Sequence, residues 1–223
     1  MRKFTKQLFF ASACMLASAT FAQTFGIKAG MNMSNMVAED NEGTYSDDFE
    51  SNMGFQVGPT MQFEISDVMS FETGLLLGTK GYKITEDVQG YGNFRRDKLN
   101  LLYVDVPLTA KATFDLGGAK LYLTSGPYVG VGLSGAKSIE GSDNGDTYDE
   151  EEDIKFGSDE DKHDLKRLDY GVTAGVGLEI SNIQIGVTYG MGLANISNYT
   201  DNGASVNNSV LSFGLAYRFG DFY

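Results

Sequence analysis

The feature that most constrains this chain is a period of two sustained from Ile183 to Phe219. Ile183, Ile185, Val187, Tyr189, Met191 and Leu193 alternate with Gln184, Gly186, Thr188, Gly190, Gly192 and Ala194. After a polar stretch, Leu211, Phe213, Leu215, Tyr217 and Phe219 alternate with Ser212, Gly214, Ala216 and Arg218. Alternation at this period is the mark of a strand with two unlike faces, not of a helix. One face is large and apolar; the other is small or polar. Each run is long enough to cross a bilayer as a tilted strand, which takes about 9–11 residues.

The same pattern recurs upstream. It predicts strands over 24–37, 55–65, 71–80, 102–112, 121–133 and 169–180, which with the two runs above makes eight. The connections alternate long and short, so antiparallel neighbours place every long loop at one end and every tight turn at the other. A sandwich also alternates, but it turns bulky polar groups to water on its outer faces. Here the second face is Gly, Ala, Thr, Ser and a few charges, which suits the narrow bore of an eight-stranded barrel. The expected fold is all-β: an eight-stranded antiparallel transmembrane β-barrel with long extracellular loops and short periplasmic turns. Pro59, Pro107 and Pro127 fall inside these strands. Because proline removes a ladder hydrogen bond, they are expected to mark bulges.

The first 22 residues read as a cleaved signal peptide. Arg2, Lys3 and Lys6 precede an uncharged apolar run to Phe21, and Thr20-Phe21-Ala22 offers a cleavage site. The barrel domain is then 23–223. The only cysteine, Cys14, lies in the leader, so the mature chain carries no thiol chemistry and no disulfide. Removing the three basic leader residues leaves 14 Lys+Arg against 30 Asp+Glu, a net charge of −16. That charge excludes nucleic acid as a partner.

Short motifs along these strands resemble the PorT-like family of outer-membrane β-barrel proteins. They are Phe25-Gly26-Ile27-Lys28-Ala29-Gly30-Met31-Asn32, Tyr103-Val104-Asp105-Val106-Pro107-Leu108, Gly126-Pro127-Tyr128-Val129-Gly130, Asp169-Tyr170-Gly171 and Tyr217-Arg218-Phe219. The resemblance spans the mature chain and implies a multi-pass barrel in the outer membrane of a Gram-negative bacterium. It implies little about activity: most members have none known, and one branch serves protein secretion and gliding. The expected partners are outer-membrane lipid, the barrel-assembly machinery during insertion, and an extracellular or secretion-system protein.

Candidate functional residues fall in three groups. The lumen-facing parity collects Lys28, Glu64, Glu72, Lys80, Asp105, Lys111, Asp169, Glu179 and Arg218. Their near balance of sign suggests mutual pairing in a polar plug, with a gated ion path as the alternative. The acidic loop 134–167 holds twelve acidic and five basic residues. Within it Asp143, Asp146, Asp149 and Glu151 are candidate calcium ligands, although their spacing is not that of an EF-hand, and a solvated, disordered loop is the simpler expectation. His163, the only histidine, has Ser158, Asp161 and Asp164 nearby, but a loop position lacks the rigid support a catalytic triad requires. No enzyme activity, cofactor or catalytic residue is therefore expected. Phe25, Phe63, Phe71, Phe114, Tyr217 and Phe219 are expected to form an interfacial aromatic girdle at the short-turn end, with Phe55, Tyr170 and Tyr189 at the other. The function read from the sequence is a non-enzymatic structural or binding role through acidic extracellular loops. The alternatives are a component of a secretion or transport assembly, or a narrow gated channel.

Overall fold

The computed structural model describes residues 23–45, 49–88, 93–143, 146–159 and 162–219. The leader segment 1–22 and the last four residues lie outside the described residues. The strands are β1 (Gln23–Glu39), β2 (Glu50–Glu64), β3 (Met69–Gly74), β4 (Leu76–Val88), β5 (Asn93–Asp115), β6 (Lys120–Asp143), β7 (Asp146–Asp153), β8 (Leu168–Ile180), β9 (Ile183–Gly192) and β10 (Ser205–Phe219). Every pairing between them is antiparallel.

The pairings run β1–β2, β2 to β3 and β4, both of these to β5, then β5–β6, β6–β8, β8–β9, β9–β10 and back to β1. The sheet therefore closes on itself with eight wall positions. Ten strands occupy them for two reasons. The strand expected over 71–80 is broken at Leu75 into β3 and β4, at the point where the Leu75 N–H bonds the Pro59 carbonyl. The acidic loop also contains a strand of its own, β7, which pairs back onto the far end of β6.

The strands are longer than the alternation suggested. Beyond the strands expected over 71–80 and 102–112, β4 and β5 stay paired as hairpin arms from Lys83↔Lys98 to Val88↔Asn93. Residues 136–143 and 146–153 pair as the arms of a second hairpin. The disordered-loop expectation fails there because backbone pairing, not side-chain burial, holds these polar residues. Pro107 and Pro127 also behave differently from expectation. Pro107 pairs opposite Tyr128, and the ladder resumes at Ala110↔Ser125 with no change of register. The register shift along β5–β6 lies between Leu102 and Tyr103 instead. The seams differ in length: β1–β10 is continuous over fifteen pairs from Phe25↔Phe219 to Glu39↔Ser205, whereas β2–β4 is paired only near its two ends.

Burial is inverted relative to a water-soluble sheet. Outward residues such as Ile27, Met31, Val172, Ile185 and Leu215 are large, apolar and exposed, whereas Lys111 and Asp169 are completely buried. A continuous apolar belt of this kind has no stable place in water and matches the hydrocarbon of a bilayer. Aromatic residues sit at the short-turn edge of the belt: Phe63 and Phe71 lie 6.4 Å apart, and Tyr217 packs edge-on against Phe219 at 5.4 Å.

Candidate functional site

Inside the ring the side chains are stacked in layers. Nearest the short turns, the β5, β8 and β10 residues Lys111, Glu179 and Arg218 meet. The Lys111 ammonium donates to Glu179 Oε2 and to Gln62 Oε1, both at 3.1 Å. Arg218 donates to Gln62 Oε1 at 2.9 Å and pairs with the Glu179 carboxylate. Gln184, two residues beyond the Ser181-Asn182 turn, adds a hydrogen bond to Glu179 at 3.1 Å. One carboxylate is thus shared by two cations and a carboxamide. That is the degree of satisfaction a charge needs to remain ionised away from water.

A second cluster lies toward the long-loop end. Lys80 of β4 donates to Asp105 of β5 and Asp169 of β8, at 2.9 Å each. Its ammonium also stands 4.6 Å from the ring centroids of both Tyr103 and Tyr128, a cation–π sandwich. Tyr128 Oη and Asn208 Nδ2 both donate to Asp169 Oδ2, at 3.2 and 2.9 Å. The wall gives way here by sequence: a Cβ on Gly130 would collide with the Asp105 carboxylate. Between the two clusters lies a polar cavity of about 100 Å³, bordered by Lys28, Asn32, Gln56, Glu72, Thr124 and Thr188 among others. That volume holds a few waters.

Above the second cluster the bore turns apolar. Met36, Leu99, Leu101 and Tyr103 face inward from the wall, and Phe156, Ala194 and Ile196 enter from the connections after β7 and β9. Phe156 stands edge-on to Tyr103, with centroids 6.0 Å apart, and Phe49 stacks flat on Tyr82 at 4.3 Å. Gly132 leaves the room that the Phe156 ring occupies. Asn198, itself buried, holds the cap together by donating to the carbonyls of Gly157 and His163. Replacing Phe156 with alanine should cost about 3–5 kcal/mol locally, the usual cost of truncating a buried aromatic. Limited proteolysis will read this as faster cleavage within 154–167; unchanged cleavage would show that Phe156 does not hold the cap.

Eight of the nine lumen candidates lie inside the ring or on the cavity wall. Lys80, Asp105 and Asp169 meet in one cluster, and Lys111, Glu179 and Arg218 in the other. Lys28 and Glu72 border the cavity between them. Glu64 is exposed at the short-turn end of β2. The partners Gln62, Gln184, Tyr128 and Asn208 are not among the candidates the sequence offers, although each follows the inward parity of its strand.

The calcium candidates divide. Asp146 lies on one face of β7 and Asp149 and Glu151 on the other, because successive strand residues point to opposite faces. The Asp143 side chain lies outside the described residues. Around His163, Nδ1 is 3.2 Å from the Asp159 carbonyl, and Asp164 accepts the Lys155 N–H at 2.8 Å, so this carboxylate is engaged elsewhere. Asp161 lies outside the described residues. At the exposed rim, Asp40 accepts the N–H groups of Glu42 and Gly43, which hold its carboxyl below the usual carboxylate range.

Comparison with known proteins decides the kinship. Residues 21–198 match the family model described as "Outer membrane protein beta-barrel domain". The chain belongs to that family. It is accordingly a barrel of the Gram-negative outer membrane. No curated protein matches it. Among solved structures, neisserial surface protein A aligns at 14% identity and a TM-score of 0.43, over 89% of this chain and 99% of that one. The outer membrane protein OprG from Pseudomonas aeruginosa aligns at 13% and 0.44, over 89% and 97%. Ail, the attachment invasion locus protein of Yersinia pestis, aligns at 15% and 0.34, over 88% and 98%.

Proposed function

We propose that this family member is a sealed, non-enzymatic barrel that binds a partner at the cell surface, with the long-loop end outside and the tight turns in the periplasm. The observation that carries this reading is the contrast between the bore and the rim. Two buried ion clusters and an apolar cap block the bore in series, with room between the clusters for a few waters only. The β4–β5 and β6–β7 hairpins meanwhile hold polar chain in fixed, paired geometry, and six of the eight residues of β7 are acidic and exposed. A platform built on strands presents its groups with less ordering entropy to lose than a free loop would.

The register supplies a clean test. Ser138 pairs with Glu151, so residues 139–150 can be replaced by Asn-Gly to close a shorter hairpin without disturbing the wall. Cross-linked capture from intact cells should recover a protein partner with the full chain and lose it with the shortened one. An identical partner set from both would sink the reading. A channel or transport role remains the competing account. Steady single-channel conductance of the native barrel in a planar bilayer would establish it in place of the surface-binding one.

A further inference from the structure

We propose that the cluster at the long-loop end of the bore binds one dehydrated alkali-metal cation, held by Asp169 Oδ1, Asn208 Oδ1 and Tyr103 Oη. Three independent observations meet at this point. The first is charge. Asp105 and Asp169 together face a single ammonium, that of Lys80, so the cluster is one positive charge short of neutrality in a region where Asp169 is wholly buried and Lys80 nearly so. An uncompensated buried charge is costly enough that a counter-charge is expected beside it.

The second observation is a set of orphaned oxygens. Asp169 Oδ1, Asn208 Oδ1 and Tyr103 Oη are buried and reach no hydrogen-bond partner in the protein. All three residues are at least 98% buried, with relative exposures of 0%, 2% and 0%. Buried polar atoms of native proteins are nearly always satisfied, so three together need an explanation. They are neighbours: Asn208 bonds the other oxygen of the Asp169 carboxylate at 2.9 Å, and the Tyr103 hydroxyl stands beside the Asn208 amide.

The third observation is that Lys80 cannot serve them. Its ammonium is engaged by Asp105, by Asp169 Oδ2 and by the faces of two tyrosines. Carboxylate, carboxamide and phenol oxygens are the donors a hard cation takes. A divalent ion fits poorly: the orphaned set includes a single carboxylate oxygen, with an ammonium on the other side of the same group. Among the described residues no group of three acidic, histidine or cysteine side chains forms a metal site, which also points away from calcium or zinc.

The test uses the full-length mature barrel folded into lipid vesicles with one chloride salt present from the folding step onward. Sodium, potassium and N-methylglucamine are compared at equal ionic strength, so that screening is constant. Sodium or potassium should raise the thermal midpoint saturably by about 5 °C over N-methylglucamine, the size expected for a ligand well above its dissociation constant. Tyr103→Phe removes only the hydroxyl and should raise the half-saturating concentration about tenfold while the barrel still folds. Crystals of barrel folded in thallium(I) acetate should give an anomalous peak within bonding distance of Asp169 Oδ1. Equal midpoints in all three salts, or flat anomalous density at that oxygen, would overturn the proposal and leave the oxygens to water and the charge to a proton.

Discussion

Replacing Lys80 with methionine should lower the unfolding free energy of the barrel by about 3–5 kcal/mol, the cost of stranding buried charge by removing one partner. Both Asp105 and Asp169 would lose their ammonium, and the aliphatic stem of methionine would still pack between Tyr103 and Tyr128. Urea unfolding in vesicles, followed by the gel-mobility difference between folded and unfolded barrel, measures the loss. The interpretation has an internal control. Changing Asp105 and Asp169 to leucine in the same chain removes the stranded charges and should recover most of the stability, since an apolar replacement of a buried ion cluster is often neutral or better. A single Lys80→Met variant that loses less than about 1 kcal/mol would mean that water reaches the cluster and that the bore is not sealed there.

The second large effect is expected on the outer wall. Leu215 is 53% exposed and sits between Ala29 of β1 and Ile185 of β9, in the middle of the apolar belt. Leu215→Arg should cost about 2–4 kcal/mol, as a cation on the lipid face near the bilayer midplane does. Tyr199→Arg provides the comparison. Tyr199 is 64% exposed but lies in the connection after β9, beyond the belt, where a charge meets water and should change stability by about 0.5 kcal/mol or less. Equal effects from the two substitutions would contradict the placement of the bilayer around the wall.

Most of the barrel was legible because strand parity is a local property. Ile180, Ser181, Asn182 and Ile183 announce a two-residue turn, and the structure pairs Ile180 with Ile183 across it. The inward parity of Lys80, Lys111, Asp169, Glu179 and Arg218 could likewise be counted off along each run. Which charge meets which could not, because it depends on the stagger between strands distant in sequence. Lys80 and Asp169 are 89 residues apart, and nothing local aligns them.

The apolar cap is hidden in the sequence for a different reason. Leu99 and Leu101 continue the inward phase of β5, yet they follow charged residues that read as loop. Phe156 and Ile196 are isolated apolar residues in polar stretches, a weak signal on its own. The hairpins are not visible in the sequence because 83–98 and 138–151 carry no apolar face. Their order comes from the backbone ladder begun in the wall, which side-chain alternation does not register.

The unequal seams of the wall bear on how such a cylinder fails. The fifteen-pair junction between the first and last strands would have to part along its whole length, so the place where the chain closes is a continuously stitched line. The β2–β4 line, paired at four positions with a register shift between them, offers far fewer bonds to undo. Lateral escape of a greasy molecule from bore to bilayer, or the first tear under heat, would therefore begin in the interior of the sequence and leave the two termini clasped.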